Sequence, residues 1–209
     1  MPVMTRGIEP DLDKIKAAKP DCIVYDRDEV DSKSAAMIES TGIAVFKFGG
    51  DSIDEFVESI FEFGRVSGSE ELGSKYVDKI LLERAVAIAE RPETPVRVAV
   101  IRQDNFNQKW IAGNDGFVAD VVATAGGKPI GPDSKAWVAL DPNWLATQNP
   151  QILIVAGPLT GISDNAVLAR TSAATRERVF QVDADLPTRR GSRVDRFIKL
   201  CASLIKKGP

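Results

Sequence analysis

Residues 67–91, SGSEELGSKYVDKILLERAVAIAER, decide how the rest of the chain is read. Apolar side chains recur at Leu72, Tyr76 and Ile80 and again at Val77, Leu81, Ala85 and Ile88, with Glu70, Glu71, Asp78, Lys79, Glu83 and Arg84 between them. That spacing is the period of a helix. Ser69 stands at the N-cap position, Glu70 and Glu71 place acids at the positive end of the helix dipole, and Arg91-Pro92 stops the far end. Roughly 22 residues rising about 1.5 Å each make a rod of about 33 Å, the width of a small domain. The stretch therefore predicts a strut that carries the chain from an N-terminal lobe (1–66) through a connecting helix (67–92) to a C-terminal lobe (93–209).

On either side, short apolar runs alternate with helical periods. Residues 10–18 (PDLDKIKAA) predict a short helix that turns Leu12 and Ile15 inward and ends at Lys19-Pro20. DCIVY at 21–25 predicts a buried parallel strand, 32–40 a helix ended by Thr41-Gly42, and IAVFKF at 43–48 a second strand. Residues 52–64 predict an amphipathic helix with Ile53, Phe56, Val57, Ile60 and Phe61 on its apolar face. Beyond Pro92 and Pro95, VRVAVI (96–101) and KWIA (109–112) predict strands, and 113–125 a glycine-led helix closed by Gly126-Gly127. Residues 137–140 predict an edge strand, 141–147 a helix with Pro142 at its first position, and ILIV (152–155) a buried strand. Residues 165–173 predict a helix, VFQV (179–182) the last strand and 192–206 the last helix. The fold class is α/β: two lobes with mainly parallel sheets covered by helices, joined by one long helix. Ligands of such sheets bind outside the carboxyl ends of the strands.

Composition narrows the function. An apolar fraction of 44% and a charged fraction of 27% over 209 residues are those of a globular protein with ample core. A net charge of −3, with basic residues scattered apart from a short cluster at 189–196, argues against a nucleic-acid partner. No apolar run approaches the roughly 20 residues that span a bilayer. The N-terminal MPVMTRGIEP has no apolar export core, which predicts either a cytoplasmic chain or a mature form stripped of its leader. The absence of histidine removes the commonest general base and transition-metal ligand, and with it the Ser-His-Asp and Cys-His schemes. Cys22 lies in a strand pattern and Cys201 in the last helix, so two free thiols are expected rather than a disulfide. No metal-ligand spacing occurs, and GNDG at 113–116 is too short for a dinucleotide fingerprint. The reading is a binding protein, not an enzyme, with no cofactor and no metal site of its own.

Five segments in order resemble one family: EPDLDKIKAAKPDCIVY (9–25), TGIAVFKF (41–48), IAGNDGFVADVVATAGG (111–127), LATQNPQILIV (145–155) and RVFQVDADLPTRRGSRVDRFIKLCASL (178–204), the rod falling between the second and third. The chain resembles the class III substrate-binding proteins, the periplasmic or lipid-anchored receptors of importers for ferric siderophores, haem and cobalamin. The resemblance implies two α/β lobes on a rigid helix with the ligand between them, and an extracytoplasmic place beside an ABC permease. Members of that family usually begin with roughly 40 to 60 further residues, about half of a small lobe. The expectation is thus a reduced N-terminal lobe, or one completed by another chain or by a swapped homodimer partner. The family's permease-docking glutamates fall here on Asn143 and near Asp31 or Ser32, and its tyrosine before the first helix falls on Ile8, which argues against tyrosine-ligated haem.

Candidate ligand-binding residues follow from the strand ends. Tyr25 and Asp26 close the first strand, though Tyr25 equally suits packing beneath the next helix. Phe48, Gly49 and Gly50 end the second, where the glycines allow close approach of a ligand or simply make a turn. Trp110 and Asn114 flank Gly113 before a helix start, where free amides would hold an anion; the alternative is Trp110 as core and Asn114 as a cap. Arg189 and Arg190 in TRRGSR match a loop that faces the ligand in the family it resembles, and would bind carboxylate, phosphate or catecholate oxygens as planar forks, or else form a solvated turn. The tryptophans of SKAWVAL and DPNWLA read as core. The implied function is the ligand-binding component of an ABC importer for an iron-siderophore, cobalamin or similar metal chelate. The alternative is a truncated or cytoplasmic relative acting as an interaction module or as a subunit completed by another chain.

Overall fold

The strands and helices fall into two compact units, residues 1–50 with 54–73 and residues 51–53 with 74–209. The computed structural model describes residues 5–6, 9–27, 30–104, 107–162 and 164–206; Ile8 lies outside the described residues.

The first unit opens with a two-residue antiparallel pair, β1 (Thr5–Arg6) and β2 (Glu9–Pro10), which no periodicity announces. Helix α1 (Leu12–Ala18) is capped by Asp11, whose side chain accepts from the Lys14 amide, and buries Ile15. Strands β3 (Cys22–Asp26) and β4 (Ala44–Phe48) pair in parallel through the crossover helix α2 (Ser32–Glu39), which Asp31 caps at the Ser34 amide. Helix α3 (Ile53–Ser67) packs Phe56 and Phe63 against the β4 rings: Phe48 and Phe56 meet edge-on at 5.4 Å, Phe46 and Phe63 at 5.6 Å. β3 is only half-buried, with Val24 46% exposed, where a buried parallel strand was expected. Among the described residues it pairs with β4 alone, a sheet too narrow to cover it. Phe61, expected on the apolar face of α3, is 44% exposed for the same reason.

The rod is shorter than predicted. Helix α4 spans Glu70–Ala89, because α3 runs on to Ser67 and the chain turns at Gly68, whose φ of 66° suits glycine. Gly64 and Gly73 let the two helices approach: a Cβ on Gly64 would meet the Glu70 Cα at 3.2 Å. The division between the units falls within α4, at Gly73 and Ser74. The buried face of α4 is Val77, Ile80 and Ala87, whereas Leu72, Leu81 and Ile88, which recur at the same helical spacing, are exposed. Apolar side chains surround this helix on all sides, so periodicity alone could not choose the face.

The second unit is a six-stranded mixed sheet in which β10 (Val179–Val182), β9 (Ile152–Ala156), β5 (Val96–Gln103), β6 (Lys109–Ala112) and β8 (Trp137–Ala139) lie side by side. The sixth, β7 (Gly127–Pro129), pairs with the first half of β5; it begins directly after Gly126, which ends α5 with a φ of 87°, so the glycine pair stops the helix and also opens a strand that the sequence does not announce. β9, β10 and β7 run parallel to β5, and β6 and β8 run antiparallel. All five residues of β9 are buried, as befits a central strand covered on both faces, and each such Ile, Leu or Val contributes about 1.5–3 kcal/mol. One face of the sheet packs Leu145 of α6 (Pro142–Gln148), Ile162, Leu168 and Ala173 on Ala99, Ile101, Leu153 and Val155.

α5 (Phe117–Thr124) packs Val118 and Val122 near Val98 and Val100 on the other face, and α8 (Val194–Lys206) buries its own apolar stripe of Phe197, Ile198, Cys201 and Ile205. α4 and α8 lie alongside and run the same way, tied at Tyr76 to Val194, Glu83 to Lys199 and Glu90 to Lys206. At its far end α8 gives the Leu204 carbonyl to the buried Arg178, 2.9 Å away. Where a helix over 165–173 was expected, a 3-10 turn (Leu168–Arg170) is followed by the four-residue α7 (Ser172–Thr175). The Asn165 carboxamide takes the Val167 and Leu168 amides and Thr171 that of Ala174, local bonds that compete with a continuous helix. Cys22 and Cys201 are free thiols. Among the described residues no helix is long and apolar enough to cross a membrane.

Candidate functional site

In the first unit the strand ends lie together but are largely spent on structure. Tyr25 stands opposite Lys47 and Asp26 opposite Phe48 in the parallel register. The Lys47 ammonium, held at 2.7 Å by Glu39, is raised above its ordinary range, first by that hydrogen bond and then by the nearby Tyr25. The Phe48 ring is packed by Phe46, Phe56 and Phe63 with centroids 5.4–6.5 Å away, a core role. Gly49, with φ 125°, gives its amide to the Ser59 hydroxyl at 3.1 Å.

In the second unit the carboxyl end of β5 is Arg102-Gln103, followed by Asp104. Arg102 stands directly opposite Trp110 of β6, and Trp110 opposite Ala139 of β8, so Arg102, Trp110 and Trp137 share one face of the sheet. The Arg102 guanidinium lies 5.0 Å from the centroid of the Trp137 ring, and the Trp110 indole N–H donates to Asp104 at 3.1 Å. The Nε of Arg102 and the Oε1 of Gln103 are buried without a hydrogen-bond partner.

α5 descends toward the amino end of β5, because Gly127 just after it pairs with Val96. Its first residue, Phe117, therefore stands toward the carboxyl end, and the Arg190 guanidinium lies 5.8 Å over the Phe117 ring. The loop 183–193 that carries Arg190 leaves the carboxyl end of β10. Asp185 holds Arg189 at 3.1 Å and Arg193 at 3.5 Å, and Asp183 holds Arg193 at 3.0 Å. The Asp183 carboxyl is held below the ordinary range, first by the Asp185 amide and then by Arg193. The Arg189 side chain is 75% exposed and turned to Asp185.

The expected anion cradle at 113–116 takes a different form. The helix begins at Phe117, not Gly113, and the amides of Gly113, Asn114 and Asp115 are given to the carbonyls of Ala136, Pro132 and Ser134. Asn114 is exposed. Of the sequence-derived residues, the fold thus brings Trp110 and Arg190 to the carboxyl edge of the second sheet. It adds Arg102, Gln103 and Trp137, which the sequence reading missed. Arg102 was legible as a charge ending an apolar strand; Trp137 was assigned to the core, and only the register exposes its ring to a guanidinium. Among the described residues no group of three or more His, Cys, Asp or Glu side chains could hold a metal ion.

A family model described as "Periplasmic binding protein" matches residues 2–186. An ABC transporter substrate-binding lipoprotein of Bacillus subtilis, YvrC, is 24% identical over 197 residues, covering 88% of this chain and 61% of the relative. The vitamin B12-binding protein of Salmonella choleraesuis is 26% identical over 147 residues, covering 70% of this chain and 55% of the relative. The chain thus spans about 55–61% of the length of these curated relatives. Among solved structures, the triscatecholate siderophore-binding protein FeuA of Bacillus subtilis, complexed with ferri-bacillibactin, superposes with a TM-score of 0.79 at 17% identity, over 96% of this chain and 76% of that one. That likeness establishes the fold.

Proposed function

The chain belongs to the periplasmic binding protein family, and on that premise we propose that it is the ligand-binding component of an ABC-type importer for a metal chelate of the ferric siderophore or cobalamin kind. The observation that carries this reading is the carboxyl edge of the second sheet. There Arg102 on Trp137 and Arg190 on Phe117 pair guanidinium with aromatic ring. A guanidinium lying over a ring sets positive charge beside aromatic stacking area, the pairing that suits an anionic, partly aromatic ligand. An ABC permease is the proposed protein partner and the extracytoplasmic side the proposed location.

Titration of the purified chain with ferri-bacillibactin, cyanocobalamin and haemin, followed by tryptophan fluorescence, tests the reading. Saturable quenching by one of them at micromolar concentration is expected, since Trp110 and Trp137 line the proposed edge. No response to any of the three would sink it.

One observation supports a partner for the first unit as well. β3 and β4 pair only with each other among the described residues, and Val24, Phe61 and Val66 are exposed there. A strand added at that edge, from a second copy of this chain or from another chain, is the proposed completion. Sedimentation showing a compact monomer that gives saturable quenching with one of the three chelates would remove this part.

A further inference from the structure

Tyr76 lies on α4, and its phenol is committed to the loop that carries the candidate arginines. The Val194 amide donates to its oxygen at 2.9 Å, and the hydroxyl donates to the Gly191 carbonyl at 2.5 Å. Val194 opens α8, and its amide is one of those a helix leaves without an intrahelical partner. A hydroxyl both accepts and donates, so one atom closes the turn from 191 to 194 from both sides. Asp183 and Asp185 grip Arg193 and Arg189 at the base of the same loop. Burial pushes the phenol up to about 12, so it remains a donor through neutral pH.

Arg190 is the residue next to Gly191, and its guanidinium rests over Phe117. We propose that Tyr76 is a positioning residue: by holding Gly191 and Val194 it fixes the turn that presents Arg190 at the carboxyl edge of the second sheet. Its consequence for affinity rests on the reading of Arg190 as a ligand-binding residue. The hold on the loop stands on the two hydrogen bonds alone.

Two measurements on the full chain test it. In Tyr76→Phe, amide hydrogen exchange at Val194 is expected to rise about tenfold, because the lost acceptor leaves that amide to water. In a double-mutant cycle read with ferri-bacillibactin, Tyr76→Phe is expected to weaken binding about tenfold when Arg190 is present and less than about twofold in the Arg190→Ala background. A purely structural role would weaken binding equally in both backgrounds. That result, or unchanged exchange at Val194, overturns the proposal. If the wild-type chain does not bind ferri-bacillibactin, the cycle is read with whichever of cyanocobalamin and haemin saturates; if none binds, the chelate assignment fails, while the exchange measurement still decides whether Tyr76 holds the loop.

Discussion

Gly113→Ala is predicted to pry apart the two loops that frame Trp110 and Trp137. A Cβ on Gly113 would stand 1.9 Å from the Ser134 carbonyl oxygen and 2.6 Å from its carbon, both backbone atoms that no rotamer change can clear. Restoring ordinary contact requires a separation of about 1.5 Å. Three hydrogen bonds cross this seam: Gly113 to Ala136 at 3.1 Å, Asn114 to Pro132 at 2.9 Å and Asp115 to Ser134 at 3.2 Å. Each contributes about 0.5–1.5 kcal/mol, so stretching all three costs about 2–4 kcal/mol. For a chain of this size that lowers Tm by roughly 5–15 °C. Gly191→Ala is the control, since a Cβ there meets nothing within 4 Å, and its effect should stay within about 0.5 kcal/mol. Calorimetric melting of the two variants beside the wild type is the assay. A Gly113→Ala protein that melts within about 2 °C of wild type, or a Gly191→Ala protein that loses as much, would refute the interlock.

With whichever of the three chelates saturates the wild type, Arg190→Ala is expected to weaken binding by about tenfold and Arg189→Ala by less than about twofold, because the Arg189 side chain is exposed and turned to Asp185; equal losses in isothermal titration would contradict the assignment. The Asp31 carboxyl is held below its ordinary value, chiefly by the Ser34 amide. A depressed carboxylate contributes stability that is present above its unfolded value, near 4, and lost as pH falls through the lower folded value. Asp31→Asn should therefore flatten the acid limb of stability against pH below about 4, and an unchanged limb in acid-denaturation curves would count against the cap. Burial pushes the Cys201 thiol up, while Cys22 is half-buried. A thiol-reactive dye should therefore label Cys22 in the native protein and Cys201 only on unfolding; prompt labelling of both would show α8 to be loosely seated.

Much of the architecture is legible in the amino-acid sequence alone. The alternation of apolar runs with helical periods placed β3, β4, β5, β6, β9 and β10 and the helices α1 to α4, α6 and α8 close to where they occur. Local chemistry explains this success: Asp11, Asp31 and Asp141 cap the helices they precede, and Pro142 stands in the first turn of α6. Where local bonds compete, the reading failed, as at Asn165 and Thr171. The site was less legible. Phe48 and Gly49 sit at a strand end, as a ligand-binding residue would, but their ring and amide are spent within the first unit. Arg102 and Trp137 lie 35 positions apart and become neighbours only through the pairing of β5 with β6 and of β6 with β8.

What the sequence determined by itself is the set of elements and their order, because caps, breakers and side-chain period act over a few residues. Which faces are covered, which amides are already taken and which guanidinium meets which ring were decided by strand register and helix packing. Those depend on residues far apart in the chain. The second half of α4 makes the difference plain: Ile80 and Leu81 are adjacent and equally apolar, yet one is fully buried and the other 41% exposed. No local property of either residue distinguishes them; only the surface against which the helix lies does.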